Sequence, residues 1–559
     1  MSDFYSNADN FISNDINFRK LIIFIVVFLC AVKLPGIIFS DIQPWDEGMY
    51  ATRVLSIHLN GDFFDQSSHS VGRFYSGSHP PLLIWIGYFS TLIFGINSFA
   101  LKIIPFIFSL LCVVLIMSAG KKIYDSKTAF YASLIFCSNI IFNVFSKRFQ
   151  FDYPYTFFIL FSIYTFIKFN ESLNYRYLVL SAVSFGCCLM VKILVGFYIP
   201  MILVISWFFV KDKVNFRFKD IVFLVFIGIL IALPWHIFML AKYGSDFTDF
   251  FFKFHIYDRA VYGVEMNQKN SGVLYHINYL LTIIPFSVLI FFSMYIDLKS
   301  FRSLSTGKII LWIWFLTGLL ILALFKTKLE VYVLLILTPG CLLMTSCISQ
   351  IDKKNFILKR TLITALILNI FWYATESVRP EIKSFLYEEN KLLILISTAL
   401  VLTLLYFLAA IIADKIELQK AIYIFIFGFF LILNLYYLIH VPFWENDFHI
   451  SEVKNQIEKS GRNKIVYVAT NYRHNPQFSF YFKGLDLGWE NNEYELIFLD
   501  NKEGYENVKE KLKQLPAGGY EIIVEKEGIN RAVYGNSDQF IPSEFRLAVS
   551  SPGYELYEN

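Results

Sequence analysis

The sequence predicts a mainly α-helical, polytopic membrane protein that carries a small α/β unit at its C-terminal end. Three observations predict it. Of 559 residues, 56% are hydrophobic and 61 are Phe, and mean hydropathy is +0.53. A soluble chain of this length could not cover so much apolar material with polar surface. Apolar runs of about 18 residues or more recur, and runs of that length read as membrane helices. From about residue 445 the composition turns polar.

Taken in order, thirteen apolar spans lie near 20–40, 99–119, 128–146, 153–168, 177–191, 193–210, 220–240, 273–295, 309–325, 329–349, 361–376, 391–412 and 421–441. The first is not expected to be a cleaved signal, because residues 1–18 are polar, the run is long and no small-residue cleavage site follows it. A further apolar stretch, 80–96, would invert every later span if it crossed. Loop charge decides against that. With thirteen spans, the inner loops 120–127, 168–176, 211–219, 297–308, 352–360 and 413–420 hold 18 Lys and Arg in 55 residues. The outer loops 41–98, 147–152, 241–271, 326–328 and 377–390 hold 12 in 112. Positive loops stay inside, so 80–96 is expected to lie as a helix in the outer interface, entered through Pro80-Pro81.

The expected organisation is therefore a transmembrane domain over 1–444, with a first outer loop at 41–98, and an external soluble domain over 445–559. In a Gram-negative cell that domain would be periplasmic. Short β-like runs at 464–469, 477–482, 494–499 and 520–525, with helical spacing over 505–515, predict its α/β character. No internal repeat is present. The net charge of +4 gives no sign of a nucleic-acid partner. All seven Cys fall inside apolar runs without CxxC spacing, which reads as packing rather than disulfide or metal chemistry.

Ionisable residues gather at the outer ends of the spans. The first outer loop opens with Trp45-Asp46-Glu47-Gly48-Met49-Tyr50-Ala51-Thr52-Arg53, where a helix would place Asp46, Tyr50 and Arg53 on one face. A plain reading is a helix start whose acids complement the dipole. Asp152 sits in a short outer turn two residues before Pro154, where an N-cap is the plain reading. Arg53, Arg73, His79, Lys147, Arg148, Lys192, His255, Arg259, Lys326 and Lys328 reach the same side. Taken singly, snorkelling or flanking charge explains each lysine. A cationic cluster on the side that loop charge leaves sparse points to anion binding.

These residues carry a resemblance. Asp46-Glu47-x-x-Tyr50-Ala51 resembles the DExxYA signature of GT-C fold glycosyltransferases. Nearest are the aminoarabinose lipid A transferases and the dolichyl-phosphate-mannose protein mannosyltransferases. Arg73-Phe74-Tyr75, His79-Pro80-Pro81-Leu82 with Trp85, Asp152-x-Pro154, Lys192, Leu233-Pro234-Trp235, His255 with Arg259, and Lys326-x-Lys328-Leu329-x-x-Tyr332 follow in the family's order. The resemblance covers about 20–440. It departs where the aminoarabinose enzymes have Glu-Lys and this chain has Ser78-His79. Gly48 and Met49 replace Thr-Arg, Glu330 replaces Pro, and the His/Arg spacing is one residue longer.

The resemblance implies a GT-C-like fold of about 13 transmembrane helices in a bacterial inner membrane. It implies an enzyme that moves a sugar from a polyprenyl-phosphate donor to lipid A or lipopolysaccharide at the periplasmic face. Protein hydroxyls and surface polysaccharide stand as other acceptors, and a lipid-linked sugar transporter as the rival of another class. Negative charge grows on the leaving phosphate in such a transfer. Asp46 is then the expected base or acceptor-positioning carboxylate. Glu47 and Asp152 shape the site or hold a divalent metal. Tyr50, Arg53, Arg73, Tyr75, His79, Lys192, His255, Arg259, Lys326, Lys328 and Tyr332 are expected around the donor phosphate and sugar. For His79 two readings stand: it binds the phosphate as imidazolium, or it only opens the interfacial helix and hydrogen-bonds backbone. The other expected partners are a lipid or protein acceptor and membrane lipids.

Overall fold

The structure is a computed structural model. It describes residues 12, 14–67, 78–263, 272–351, 356–377, 417–444, 450–460, 464–468, 476–482, 495–499, 510, 512–513, 520–525, 541, 545–551 and 554–558. The expected span at 391–412, Arg73 and Tyr75, and nearly all of 505–515 lie outside the described residues.

The chain is a multi-pass helical membrane protein. Among the described residues, seven helices are long and apolar enough to cross a bilayer. Helix α1 (Asp15–Ile38) leads to a short helix α2 (Asp46–Asn60). Then come α3 (Leu82–Phe94), α4 (Ser98–Ile123), α5 (Ser126–Cys137), α6 (Ile140–Phe145), α7 (Asp152–Ser172) and α8 (Tyr175–Val191). Next are α9 (Tyr198–Val210) and α10 (Phe218–Tyr243). A π-helix over Asp249–Asp258 precedes α11 (Tyr275–Ile283), α12 (Leu289–Lys299), α13 (Thr306–Leu324) and α14 (Leu334–Ser346). Helices α15 (Phe356–Ser377) and α16 (Leu418–Trp444) complete this part.

Several expected spans are broken helices. The 128–146 span divides into α5 and α6 at Ser138-Asn139, where the Asn139 side chain caps α6 by accepting from Phe142 N–H. The 273–295 span divides into α11 and α12 in the same way, and Asn369 of α15 accepts from Val288 N–H at that break. Backbone freed inside a membrane needs such partners. Helix packing is close elsewhere: a Cβ on Gly228 of α10 would lie 2.0 Å from the Phe185 ring of α8. Small residues permit this approach. The 80–96 stretch forms α3, only 13 residues long.

The first loop is fastened at its far end. Trp85 Nε1 donates to Phe63 O and Trp235 Nε1 to Phe64 O, at 2.6 and 2.9 Å. Asp65 then pairs with Lys242 at 2.5 Å and accepts from Tyr243 OH.

The C-terminal part holds α17 (Ile450–Ser460), β1 (Lys464–Val468), α18 (Gln477–Tyr481), β2 (Glu495–Leu499), β3 (Tyr520–Glu525), β4 (Arg546–Ser551) and β5 (Tyr554–Glu558). The sheet order is β2-β1-β3-β5-β4, parallel across β2-β1-β3 and antiparallel thereafter. One expected strand is corrected. Residues 477–482 alternate Phe with polar residues, yet they form a helix that follows Pro476. Phe478 and Phe482 stack one turn apart and join Ile450, Val453 and Ile523, whereas Phe480 joins the membrane core. Two packing surfaces meet at this segment, and a helix serves both.

Candidate active site

Two helix N-termini bring two carboxylates to one chamber of about 490 Å³. Asp46 is the first residue of α2, and Asp152 is the first residue of α7. The N-cap of α7 is Phe151, so Asp152 does not cap the helix as its spacing from Pro154 suggested. The backbone at Trp45 turns through φ 63° before α2. That region costs a bulky residue roughly 1–3 kcal/mol, and it aims the first turn of α2 at the chamber. Asp46 remains solvent-accessible through the chamber. The walls still limit its hydration and push its pKa up, against the pull of Arg259, Lys192 and Arg148.

Glu47 stands apart from this chamber. Only 1% of its side chain is exposed, and it accepts from Gln43 N–H at 2.9 Å and from Phe149 N–H at 2.8 Å. Lys102, equally buried in α4, lies 3.4 Å from it. Glu47 therefore fastens the start of α2 to the turn that carries Asp152. Its oxygens are engaged, and among the described residues no three His, Cys, Asp or Glu side chains converge as a metal site would require. The expected metal role for Glu47 does not fit this arrangement.

Beside the chamber lies an apolar groove of about 260 Å³, lined by Ile193, Val195, Met201, Ile321, Phe325 and Leu335 among others. His79, Lys192, His255, Arg259 and Tyr332 line both cavities. They thus stand where an apolar tail would give way to a polar head. Lys192 ends α8 in an extended conformation, and its ammonium lies 5.6 Å from the Tyr155 ring and 5.1 Å from the Tyr332 ring. The His79 ring stacks on Phe151 at 4.8 Å, meets Tyr50 edge-on at 6.0 Å, and lies 5.8 Å from the His255 ring.

Burial first, then Lys192, His255, Arg53 and Arg259, hold the His79 pKa well below its ordinary value. Burial, Arg259 and Lys192 take His255 down to about 3. Both shifts favour the neutral ring, against an imidazolium at His79. A cationic wall disfavours further positive charge. The buried His255 Nε2 has no hydrogen-bond partner among the described residues.

Other expected residues lie elsewhere. Arg53 is fully buried and donates to Gln66 Oε1 at 3.1 and 2.7 Å and to His79 O at 2.9 Å. It braces the wall from behind instead of facing the chamber. Lys326 is exposed outside both cavities, and its N–H donates to Ala260 O. Lys328 borders the chamber, but its ammonium donates to Leu322 O and Ala323 O at the end of α13. Sequence reading missed Gln150, Tyr155, Tyr275 and Glu330 as lining residues. Gln150 lies two residues before Asp152, a proximity that could have flagged it.

The fold has known counterparts. The crystal structure of ArnT from Cupriavidus metallidurans bound to undecaprenyl phosphate superposes with a TM-score of 0.63 at 12% identity, covering 96% of this chain and 97% of that one. The chain has the GT-C fold. The apo ArnT structure gives 0.60 at 13% identity, over 95% and 97% of the two chains. Residues 78–238 of the GT-C chain match the family model described as dolichyl-phosphate-mannose-protein mannosyltransferase. An uncharacterised protein of Aquifex aeolicus is 25% identical over 366 residues, 64% of this chain and 82% of that protein. An undecaprenyl phosphate-alpha-4-amino-4-deoxy-L-arabinose arabinosyl transferase of Wigglesworthia glossinidia brevipalpis is 23% identical over 355 residues, 61% of each chain.

Proposed function

We propose that the protein is a glycosyltransferase that moves a sugar from a polyprenyl-phosphate carrier to lipid A or lipopolysaccharide on the periplasmic face of the inner membrane. One observation supports this above others: an apolar groove meets a chamber with two carboxylates, and His79, Lys192, His255 and Arg259 stand at the junction. A prenyl tail fits the groove, its phosphate fits the cationic junction, and the sugar fits the chamber. The ArnT counterpart, crystallised with undecaprenyl phosphate, and the arabinosyl transferase relative support the donor class.

In this reading, Lys192 and Arg259 stabilise the leaving phosphate, because fixed cations in a water-poor site need no reorganisation as charge develops. The neutral His79 and His255 rings donate N–H bonds to its oxygens. Asp46, with its raised pKa, takes the proton of a hydroxyl acceptor or positions an acceptor phosphate that is already ionised. Asp152 supports the oxocarbenium-like sugar from the second helix terminus.

The test is mass spectrometry of lipid A from cells with and without the gene, beside transfer by the purified chain from a labelled undecaprenyl-phosphate sugar. Loss of one sugar mass from lipid A in the deletion strain is expected. Unchanged lipid A with sugar missing from membrane proteins would move the acceptor to protein hydroxyls. No transfer from any polyprenyl-phosphate sugar would sink the reading.

A further inference from the structure

A third cavity, of about 340 Å³, lies between α9, α12 and α13. Ile205 and Phe209 of α9, Met294 and Leu298 of α12, and Trp312 and Leu316 of α13 form much of its wall. It shares no lining residue with the chamber or the groove described above. Tyr198 and Met201, near the start of α9, line the donor groove, whereas Phe209 near its end lines this cavity. On α13, Ile309 borders this cavity and Leu322 borders the groove. At 1.5 Å per residue those thirteen positions span about 20 Å. The cavity therefore lies further along the same two helices, toward the opposite face of the membrane.

The exposed lining is apolar. Its one carboxylate, Asp297, pairs with Lys308 at 2.6 Å and accepts from Trp312 Nε1 at 2.8 Å. The turns beside it are basic. Lys211 and Lys213 follow the end of α9, and Lys299 and Arg302 follow Leu298; all four are exposed. Lys213 Nζ donates to Arg302 O at 2.8 Å, and Thr306 Oγ1 donates to Lys213 O at 3.2 Å. The two turns are thus tied together beside Phe301 and Leu304, which line the cavity. Asp212 is the only acid within 211–215 and 299–305.

We infer that this cavity is a binding site for an anionic glycerophospholipid, with an acyl chain between α9, α12 and α13 and the phosphate headgroup on the Lys211, Lys213, Lys299 and Arg302 rim. Charge complementarity selects the occupant. An apolar slot alone would take a chain from any lipid, but four cations against one acid favour a headgroup with net negative charge. A zwitterionic headgroup carries its own ammonium to the same rim and gains less. The site is separate from sugar transfer and does not depend on the proposed function.

Trp312 in the wall supplies the probe. The purified full chain in neutral detergent is titrated with brominated-chain phosphatidylglycerol and, separately, with brominated-chain phosphatidylcholine. The quenching lost in Trp312→Phe reports the site. Phosphatidylglycerol is expected to quench this fraction at much lower concentration. In the Lys213→Gln/Arg302→Gln double variant that preference should shrink roughly thirtyfold, two surface cations' worth, with phosphatidylcholine quenching retained. Retained phosphatidylcholine quenching also shows that the variant is folded. Leu316→Trp, which fills the slot, should abolish saturable protection by unbrominated phosphatidylglycerol. Equal quenching by both lipids, or an unchanged preference in the double variant, overturns the inference. So would displacement of phosphatidylglycerol by an equimolar polyprenyl phosphate, which would make this a carrier site.

Discussion

Asp46 and His79 border one chamber, and their surroundings push both toward the neutral form. For Asp46 the consequence is a transfer rate that falls on the acid side through a pKa above the ordinary carboxylate value. Arg259 opposes that rise. Its replacement in Arg259→Gln should move the acid limb of the pH–rate profile to still higher pH, and an unmoved limb would separate Asp46 from the reaction. Asp46→Asn and Asp152→Asn should each lower transfer by about a hundredfold or more, the scale for an acid–base or electrostatic group. Purified variants with normal turnover would leave these residues as helix-start acids only. For His79, a neutral ring that donates an N–H predicts donor affinity that is flat between about pH 6.5 and 8. A steady weakening across that interval would restore the imidazolium. Glu47 makes a different prediction. Removing one partner of a buried ion pair costs about 3–5 kcal/mol, so Glu47→Gln should lower thermal stability in detergent sharply. Lys102→Met in the same chain should recover part of the loss, and a double variant no more stable than the single one would refute the pairing.

The π-helix over Asp249–Asp258 explains a feature of the sequence. The His255–Arg259 spacing is one residue longer than the family pattern. A π turn holds more residues than an α turn, and the extra residue is absorbed so that both side chains reach the junction. The segment that follows α13 holds the end of this helix in place: Thr327 N–H and Oγ1 both donate to Arg259 O, and Lys326 N–H donates to Ala260 O. Thr327→Val removes one of these bonds, worth about 1 kcal/mol. It should weaken donor binding severalfold with little change in the chemical step. A fall in turnover at unchanged donor KM would be the contrary result.

Much of this element-level picture was legible. Asp46, Asp152, Lys192 and Arg259 lie at helix ends, where charge interrupts an apolar pattern and can be seen. Other features were not legible, because they depend on what is near in space. Lys102 lies inside an apolar run and needs a partner there, but sequence order does not say which carboxylate. Arg53 shares the motif face with Asp46, yet its partners come from residues 66 and 79. The alternation in 477–482 has the strand period, and only the two surfaces flanking that segment favour a helix.

At the scale of the molecule, loop charge makes a firm prediction about orientation. Reporter fusions at Asn14 and Ser460 should report opposite sides of the membrane, with the N-terminal one cytoplasmic. Both on one side would remove the thirteen-span arrangement and place the acidic loops elsewhere. The C-terminal part also touches the segment that leads into α2 directly. Asp41 accepts from Ser451 N–H, Ser451 Oγ and Tyr481 OH, and Tyr481 OH accepts from Ile42 N–H. A Cβ on Gly48 would lie 2.7 Å from Gln477 N, so only glycine admits α18 against α2. That contact limits how such proteins can be recombined. A chimera joined near residue 444 would bring a foreign C-terminal part against a native α2, with Asp41, Gly48 and their partners mismatched. An exchange that carries residues 41–60 together with the C-terminal part keeps the two surfaces matched, and is the seam along which a laboratory hybrid should be cut.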